Sequence, residues 1–328
     1  MTSPIPNFTL TRPRDVESAV AAREQNPSSL FLAGGTDLIV NLRHGLEQPN
    51  ELIDLSAIDE LHEMSISGSG IHIGACTNLI AVAEAPVIRE RYGAVAEAAA
   101  AVASVGARSL ATLGGNLCLQ TRCIYYNQSE WWRRSNNYCL KRDGSTCHVA
   151  PQGQRCHAAF SGDIAPALMV LDARVEIAGK TRRRRIPLAD LYREDGRAHL
   201  LLDADELLVS VHLPTDPPPS RYAKARVRGA IDFPLAGAAV ALAVENERVA
   251  LLRVGLTGTN SRPFLLQGTE ALLGRALDTE ALRHLDSLVQ KQVQPMRTTT
   301  ASAQYRRLAA AALVGRLSSL LAAPHKSS

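Results

Sequence analysis

Four cysteines lie within one forty-residue segment, residues 121–160, and they are the most specific chemical signal in the chain. They are Cys123, Cys139, Cys147 and Cys156, separated by 15, 7 and 8 residues. Bacterial and plant-type ferredoxins use tighter cysteine runs, and structural zinc sites usually contain a close cysteine pair. The spacing therefore predicts a metal centre without fixing which metal it holds.

The chemistry of the segment leaves three alternatives for these cysteines. An iron–sulfur centre is one, and a mixed zinc site is another, because His148 and His157 each stand beside a cysteine. A segment without metal is the third. Disulfides are disfavoured, since thiols are kept reduced in the cytoplasm. We expect both tryptophans of the chain, Trp131 and Trp132, to pack beneath the segment and to shield its centre from water.

Two glycine pairs form a second candidate site. Gly34 and Gly35 follow an apolar run and precede a helix predicted over Leu38–Arg43, for which Thr36 or Asp37 is a suitable N-cap. A similar element is Ala111–Asn116, and we name residues 31–38 and 111–116 the first and second glycine loops. Glycine lets backbone amides approach an anion closely, so two such loops favour a shared dinucleotide pyrophosphate. Neither loop has the Rossmann or the P-loop spacing.

The bulk composition is that of a globular protein. The chain has 328 residues, 46% of them hydrophobic and 21% charged, and its net charge is +4. This length predicts two or three domains, and the small net charge does not favour nucleic acid. No secretory signal stands at the start, and no stretch reaches the ~20 apolar residues that span a bilayer. We therefore expect a cytoplasmic protein with neither a membrane nor a nucleic-acid partner.

Apolar periodicity and turn residues predict alternating helices and strands over most of the chain. The clearest are a helix over residues 15–26, a hairpin over 64–74, a helical region over 78–105 broken near Pro86 and Gly93, paired strands over 235–244 and 248–256, and a last helix over 303–321. A proline-rich stretch over 214–220 predicts a linker between domains 1–213 and 221–328.

The glycine loops occur together with Gly162–Ala167, Ala173–Ile177, Lys224 and Asp232–Leu235. In this order the set resembles the FAD-binding subunits of the xanthine oxidase family of molybdenum hydroxylases. The resemblance implies an α+β fold. It would contain an FAD-binding domain of two α/β subdomains, as in vanillyl-alcohol-oxidase-like flavoproteins, and a C-terminal α+β domain of antiparallel strands and helices.

The same resemblance assigns cofactor-binding roles. It implies that the glycine loops hold the FAD pyrophosphate and ribityl chain, and that Gly106 touches the cofactor through its backbone. Asp163 would accept hydrogen bonds from flavin or ribityl groups, and Lys224 would place a charge near the flavin. The implied cofactor-binding residues are Phe31, Leu32, Ala33, Gly34, Gly35, Thr36, Asp37, Leu38, Gly106, Thr112, Leu113, Gly114, Gly115, Asn116, Asp163 and Lys224.

Residues 121–160, which we name the cysteine insertion, resemble one branch of this family, the β subunits of 4-hydroxybenzoyl-CoA reductases. The resemblance implies that the four cysteines bind a [4Fe-4S] cluster beside FAD. It also implies partner subunits carrying Mo-pterin and [2Fe-2S], in a dimer of heterotrimers, and reduced ferredoxin as the electron donor.

On this interpretation the chain is an electron-transfer subunit without catalytic residues of its own, in a complex that dehydroxylates 4-hydroxybenzoyl-CoA to benzoyl-CoA. One alternative is the FAD subunit of a related molybdenum hydroxylase or carbon monoxide dehydrogenase, with a structural metal in the insertion. Another is a zinc-binding interaction module without flavin.

Overall fold

Three sheets organise the residues that the computed structural model describes, 5–297 and 301–323. The strands in chain order are β1 (Thr9–Thr11), β2 (Ser29–Leu32), β3 (Glu51–Asp54), β4 (Met64–Ser67), β5 (Gly70–Gly74), β6 (Arg174–Ala178), β7 (Arg183–Pro187), β8 (Leu207–Leu213), β9 (Ser220–Ala225), β10 (Ala236–Glu245), β11 (Arg248–Thr257) and β12 (Phe264–Leu265). A parallel sheet has the order β1-β3-β2, and two antiparallel sheets have the orders β4-β5-β8-β6-β7 and β12-β11-β10-β9.

Helices connect and cover these sheets. They are α1 (Val16–Gln25), α2 (Leu38–Arg43), α3 (Leu79–Glu84), α4 (Pro86–Arg91), α5 (Gly93–Ala101), α6 (Val105–Arg108), α7 (Leu113–Leu117), α8 (Glu130–Ser135), α9 (Ile164–Met169), α10 (Thr279–Gln292) and α11 (Ala303–Ala322). Their starts follow from local chemistry. Asn78 caps α3 by accepting a bond from the Ala81 amide at 2.9 Å, and Pro86 opens α4, where its missing N–H leaves no bond unmade.

The largest apolar core joins the five-stranded sheet to α3, α5 and α9. It also takes in three residues of the C-terminal sheet, Tyr222, Ala239 and Ala241, so that sheet packs against the helices of the preceding domain. The opposite face of the C-terminal sheet packs on α10 and α11 in a second core. This sandwich brings β9, which carries Lys224, beside the start of α9.

The fold class predicted from the sequence is confirmed, and so are most elements. The α2 bounds, the hairpin of β4 and β5, the two breaks that separate α3, α4 and α5, and the pairing of β10 with β11 all agree with prediction. Strand β9 was not predicted, because its alternating sequence is short and follows a proline-rich stretch. Within the described residues, no helix is both long and apolar enough to cross a membrane.

Asp37, one of the two N-caps predicted for α2, holds the N-cap position, but its backbone is helical and its side chain makes no capping bond. Its carboxylate instead accepts a bond from Asn41 Nδ2 at 3.1 Å and pairs with Arg122 Nη2 at 2.5 Å. An ion pair that is only 14% and 28% exposed at its two side chains competes effectively with a neutral backbone cap.

Candidate functional site

A cavity of ≈ 520 Å³ opens where the two glycine loops meet. Such a volume lies in the range of small-molecule and cofactor sites. Its wall is formed by Leu30, Phe31, Ala33, Gly34, Gly35, Thr36, Asp37, Leu38, Asn41, Glu47, Val102, Ala103, Ala107, Ala111, Thr112, Gly115, Asn116, Cys118, Leu119, Gln120, Ser161, Asp163, Ile231, Asp232 and Phe233.

The structure explains why both residues of the first glycine pair are glycine. A Cβ built on Gly34 would lie 1.8 Å from the backbone oxygen of Leu110, so only glycine lets the two loops touch. Gly35 has a φ of +68°, a left-handed conformation that side chains rarely adopt. The first loop therefore packs backbone to backbone against the chain that leads into the second loop, and the cavity lies along this junction.

The second loop turns into the short helix α7. Thr112 caps that helix by accepting a bond from the Gly115 amide at 3.1 Å. Gly114 points away from the cavity, and a Cβ there would meet the Ala75 side chain at 2.7 Å. The Asn116 side-chain oxygen accepts a bond from the Ile164 amide at 3.2 Å, which ties the second loop to the segment that contains Asp163.

Asp163 is a buried carboxylate in the cavity wall. Lys224 Nζ pairs with its Oδ2 at 3.1 Å, and the two side chains are 4% and 3% exposed. The Tyr222 hydroxyl donates to Oδ1 at 2.5 Å, and Lys224 also donates to the Asp232 carbonyl at 3.0 Å. Burial raises the pKa of Asp163, and Lys224 and Tyr222 oppose that rise. A carboxylate with two fixed donors can orient a polar ligand group.

The cavity rim contains two residues in a strained conformation. Ala103 has a φ of 42° and Ile231 a φ of 53°, and the Ile231 amide donates to the Ala103 carbonyl at 3.3 Å. A β-branched residue at positive φ is a genuine outlier. Ile231 and Phe233 are 61% and 55% exposed. Sequence reasoning missed the rim, although Asp232–Leu235 had been noted as a family motif.

The structure brings eleven of the predicted cofactor-binding residues to the cavity wall. They are Phe31, Ala33, Gly34, Gly35, Thr36, Asp37, Leu38, Thr112, Gly115, Asn116 and Asp163. Five do not line it: Leu32, Leu113 and Gly114, which stand beside wall residues in the loops, Lys224, which lies behind Asp163, and Gly106. Gly106 has no atoms near the position of a Cβ, and its neighbour Ala107 reaches the wall instead.

The cysteine insertion adjoins the same cavity. The preceding residues Cys118, Leu119 and Gln120 line the wall, and Arg122 pairs with Ala159 through both backbone amides, closing the neck of the insertion. Cys118 faces the cavity, and burial raises the pKa of its thiol to about 12, so this side chain remains protonated.

The four insertion cysteines converge. The neighbouring Cys156 thiol lowers the pKa of Cys147 to about 4, and Cys139 and Cys147 contribute to the raised pKa of Cys123. Burial raises the pKa of Cys123 to about 11, although the Tyr126 amide donates to its sulfur at 3.3 Å. Among the described residues, no group of three or more Cys, His, Asp or Glu side chains is arranged to hold a metal ion.

The surroundings of the thiols are cationic. The insertion contains six Lys or Arg residues and two Asp or Glu residues, which gives it a net charge of +4. The rest of the chain has 30 basic and 30 acidic residues and is therefore neutral. In the described part of the chain, the guanidinium Nε atoms of Arg122 and Arg133 are buried without an acceptor, and Arg142 Nε pairs with Asp143 Oδ2 at 3.4 Å. Burial lowers the pKa of Lys141 to about 8. A positively charged segment with buried unpaired donors favours an anionic ligand over a neutral one.

The two tryptophans do not both shield the thiols. Trp131 lies on α8 and is 75% exposed, so the prediction that it packs beneath the insertion was wrong. Trp132 is half-buried and packs near Tyr125, with ring centroids 6.2 Å apart. Adjacent residues of a helix point in different directions, and Arg133 takes the buried position of this turn.

Family comparison agrees with the arrangement of glycine loops and C-terminal sheet. Residues 6–216 match the family described as the FAD binding domain in molybdopterin dehydrogenase. The chain belongs to this family. Residues 220–320 match the CO dehydrogenase flavoprotein C-terminal domain. As a member of the family the chain is a flavoprotein subunit of a molybdenum-dependent oxidoreductase.

Individual relatives extend along nearly the whole chain. The aldehyde oxidoreductase FAD-binding subunit PaoB of Escherichia coli K12 is 30% identical over 82% of this chain and 86% of its own. The carbon monoxide dehydrogenase medium chain of Hydrogenophaga pseudoflava is 26% identical over 95% and 96%. A carbon monoxide dehydrogenase structure from the same organism superposes with a TM-score of 0.78 at 23% identity, covering 96% of this chain and 97% of that one. Quinoline 2-oxidoreductase from Pseudomonas putida 86 gives 0.78 at 20% identity over 98% of both chains, and these two structures show the fold.

Proposed function

We propose that this chain carries electrons between a redox centre at its four clustered cysteines and FAD in the adjoining cavity, within a molybdenum enzyme complex. The observation that carries the proposal is the continuity of the two sites. Cys118, Leu119 and Gln120 line the cavity wall, and Cys123 follows three residues later.

The residues of the cavity fit a dinucleotide. The two glycine loops would hold the pyrophosphate through close backbone approach, which Gly34 and Gly35 permit. The buried Asp163 would orient a hydrogen-bonding group of the flavin or ribityl chain, while Lys224 holds that carboxylate in place. FAD, when bound, supplies exchange of one or two electrons. The protein sets the distance between this cavity and the cysteine insertion, since Gln120 lines the wall and Cys123 follows three residues later.

The cysteines favour an iron–sulfur centre over structural zinc. The preference rests on the resemblance of the cysteine insertion to the β subunits of 4-hydroxybenzoyl-CoA reductases, in which such an insertion carries a [4Fe-4S] cluster. Backbone amides that donate to sulfur, such as Tyr126 to Cys123, tune such clusters. We therefore assign a [4Fe-4S] centre to Cys123, Cys139, Cys147 and Cys156.

Metal and flavin analysis of anaerobically purified protein tests this assignment. We expect one FAD and about four irons per chain, the number in a [4Fe-4S] cluster. Flavin with stoichiometric zinc and no iron would support the alternative of a structural metal. Zinc without flavin would contradict the whole proposal.

The partners follow from the family. The relatives named above are a FAD-binding subunit and a medium chain, terms that imply larger complexes. This chain would therefore assemble with a Mo-pterin subunit and a [2Fe-2S] subunit, as a dimer of heterotrimers in the cytoplasm. Its FAD-binding domain would be residues 1–213, with the linker over 214–220 and the C-terminal domain over 221–328.

Two reactions remain candidates for the complex. The named relatives act on an aldehyde or carbon monoxide, which favours a related hydroxylase that passes electrons outward from its substrate. The cysteine insertion favours the second candidate, in which electrons from reduced ferredoxin pass inward and 4-hydroxybenzoyl-CoA takes up two electrons and two protons, yielding benzoyl-CoA and water.

Paired assays of the purified complex separate these reactions. One follows benzoyl-CoA formation from 4-hydroxybenzoyl-CoA with reduced ferredoxin, by chromatography. The other follows reduction of an artificial acceptor by aldehydes, purines or carbon monoxide. Turnover only in the second assay would refute the dehydroxylation and leave the flavoprotein role intact.

A further inference from the structure

The buried carboxylate of Asp163 is held from one face of the C-terminal sheet. Tyr222 and Lys224 stand two residues apart on β9, so their side chains leave the strand on the same face. The Tyr222 hydroxyl donates to Asp163 Oδ1 at 2.5 Å, and the Lys224 ammonium group donates to Oδ2 at 3.1 Å. Each carboxylate oxygen thus has a donor of its own, and together the two donors fix the rotation of the carboxylate.

The neighbouring strand leaves room for the Tyr222 hydroxyl. Gly237 on β10 pairs with Lys224, and Tyr222 lies diagonally across from it on the same face of the sheet. A Cβ built on Gly237 would lie 2.6 Å from the Tyr222 hydroxyl oxygen, so a side chain there would displace that oxygen from Asp163. Glycine weakens the interior of a strand, and at this position it makes the contact between tyrosine and carboxylate possible.

The same sheet also fixes the backbone of the segment that contains Asp163. Thr257, at the end of β11, donates through its hydroxyl to the Gly162 carbonyl at 3.0 Å. A Cβ on Gly255 would lie 2.6 Å from the Pro166 carbonyl oxygen, so β11 and the start of α9 are in close backbone contact. The C-terminal sheet therefore positions both the backbone and the side chain of a residue that lines the cavity.

We propose that Tyr222 is a positioning residue of the cavity: its hydroxyl, in the space that Gly237 leaves, fixes the Asp163 carboxylate as the acceptor for a hydrogen-bond donor of the flavin or ribityl chain. The inference rests on the proposed function, because it takes FAD as the ligand of this cavity. Burial raises the pKa of Asp163, and the charge of Lys224 and the Tyr222 hydrogen bond lower it. An ionised carboxylate only accepts hydrogen bonds, so both donors favour the form of Asp163 that a ligand donor requires.

The charged groups around Asp163 give this contact a pH dependence. Besides Lys224 and Tyr222, Arg226 lowers the pKa of Asp163, whereas α9 and the second glycine loop contain no titratable side chain. Loss of the Tyr222 hydroxyl removes one donor to the ionised form, so the pKa of Asp163 should rise further. FAD affinity that depends on the ionised carboxylate would then be lost at a higher pH as the pH falls.

Tyr222→Phe in the full-length protein tests the hydroxyl without removing the ring. Tyr92→Phe is the matched control, because Tyr92 is also buried and its hydroxyl donates to the Pro214 carbonyl at 2.7 Å. Neither residue of that control contact lies in the cavity wall. Flavin-depleted protein is titrated with FAD by fluorescence across the pH range in which each variant stays folded, and circular dichroism monitors folding.

We expect Tyr222→Phe to bind FAD about tenfold more weakly, as for the loss of one hydrogen bond to a charged group. Its loss of affinity in acid should begin at a higher pH than in wild type, and Tyr92→Phe should match wild type in both respects. Unchanged affinity and pH profile in Tyr222→Phe would overturn the proposal. A loss that is equal at every pH, or a variant that does not fold, would also overturn it, since either would show a purely structural role. A wild-type protein that binds no FAD would refute the proposed function instead.

Gly237→Ala tests the space for the hydroxyl independently. The added Cβ would displace the Tyr222 hydroxyl and would also lie 2.7 Å from Thr257 Cγ2. We expect weaker FAD binding in Gly237→Ala, and little further loss when it is combined with Tyr222→Phe, because the hydroxyl is then already absent. Losses that add in the double variant would overturn the role of Gly237.

Discussion

Replacing Gly34 by alanine should weaken FAD binding strongly, because this glycine is where the two glycine loops touch. The added Cβ would lie 1.8 Å from the Leu110 carbonyl oxygen and 2.6 Å from its carbon. Both are backbone atoms, so no side-chain rotation can relieve the clash. The loops must move apart, and the cavity wall that they share must open with them.

The size of the effect follows from that distance. An ordinary contact of 3.4 Å requires the loops to separate by about 1.6 Å. Overpacking of this kind costs about 1–3 kcal/mol. If the cost falls on the closed, FAD-binding arrangement, affinity drops by about 5- to 150-fold, since ~1.4 kcal/mol corresponds to a factor of ten.

Two further glycines provide a graded series. In Gly115→Ala the new Cβ would meet the Thr112 hydroxyl oxygen at 2.8 Å, a side-chain atom that can rotate away, so we expect a smaller loss. Gly106→Ala meets nothing within 4 Å and should bind FAD as wild type does. FAD content of the purified proteins and titration of flavin fluorescence measure the series, and circular dichroism monitors folding. Full FAD affinity in Gly34→Ala, or a loss in Gly106→Ala equal to that in Gly34→Ala, would refute the assignment of the cavity.

Three other substitutions test separate parts of the site. Asp163→Asn leaves the Lys224 ammonium group buried without its partner and should lower the free energy of unfolding by about 3–5 kcal/mol in denaturant titrations. The double variant with Lys224→Met should recover much of the lost stability. An unaltered stability of the single variant would contradict the ion pair. Cys123→Ser should lose iron whereas Cys76→Ser, in an apolar core, should keep it, so equal iron content in the two would remove Cys123 from the ligand set. Arg122→Met breaks the ion pair with the first glycine loop and should weaken FAD binding about tenfold, as expected for a charge-assisted bond of roughly 1.5 kcal/mol; unchanged flavin affinity would separate the insertion from the cavity.

The sequence predicted the parts of the fold that depend on local chemistry. Pro86 and Gly93 marked the breaks between α3, α4 and α5, and the alternating residues of the hairpin marked β4 and β5. The first glycine loop could be recognised in the sequence because Gly34 and Gly35 stand between an apolar strand and a helix. Each of these signals lies within a window of a few residues, where backbone preferences decide the conformation.

Long-range contacts were beyond such reasoning. No residue near Asp37 in the sequence indicates that its carboxylate binds Arg122, 85 residues later, instead of capping the helix. The resemblance implied a backbone contact of Gly106 with the cofactor, and in the structure its neighbour Ala107 lies in the cavity wall. Ile231 and Phe233 reach the cavity only because the C-terminal sheet packs against α5 and α9. These placements depend on tertiary packing, which single-sequence patterns do not contain.

The cysteine insertion is joined to both domains rather than appended to one. The Cys156 carbonyl accepts bonds from the Gly196 amide at 2.9 Å and from Ser261 Oγ at 3.1 Å, and the latter residue follows β11 in the C-terminal domain. The Phe160 amide likewise donates to the Asn260 carbonyl at 2.9 Å. Deleting residues 121–160 would therefore leave donors and acceptors of both domains unpaired, each at about 1–3 kcal/mol. A deletion variant that fails to bind flavin would not distinguish a structural role from a redox role. Single cysteine substitutions, which leave these backbone bonds in place, make that distinction.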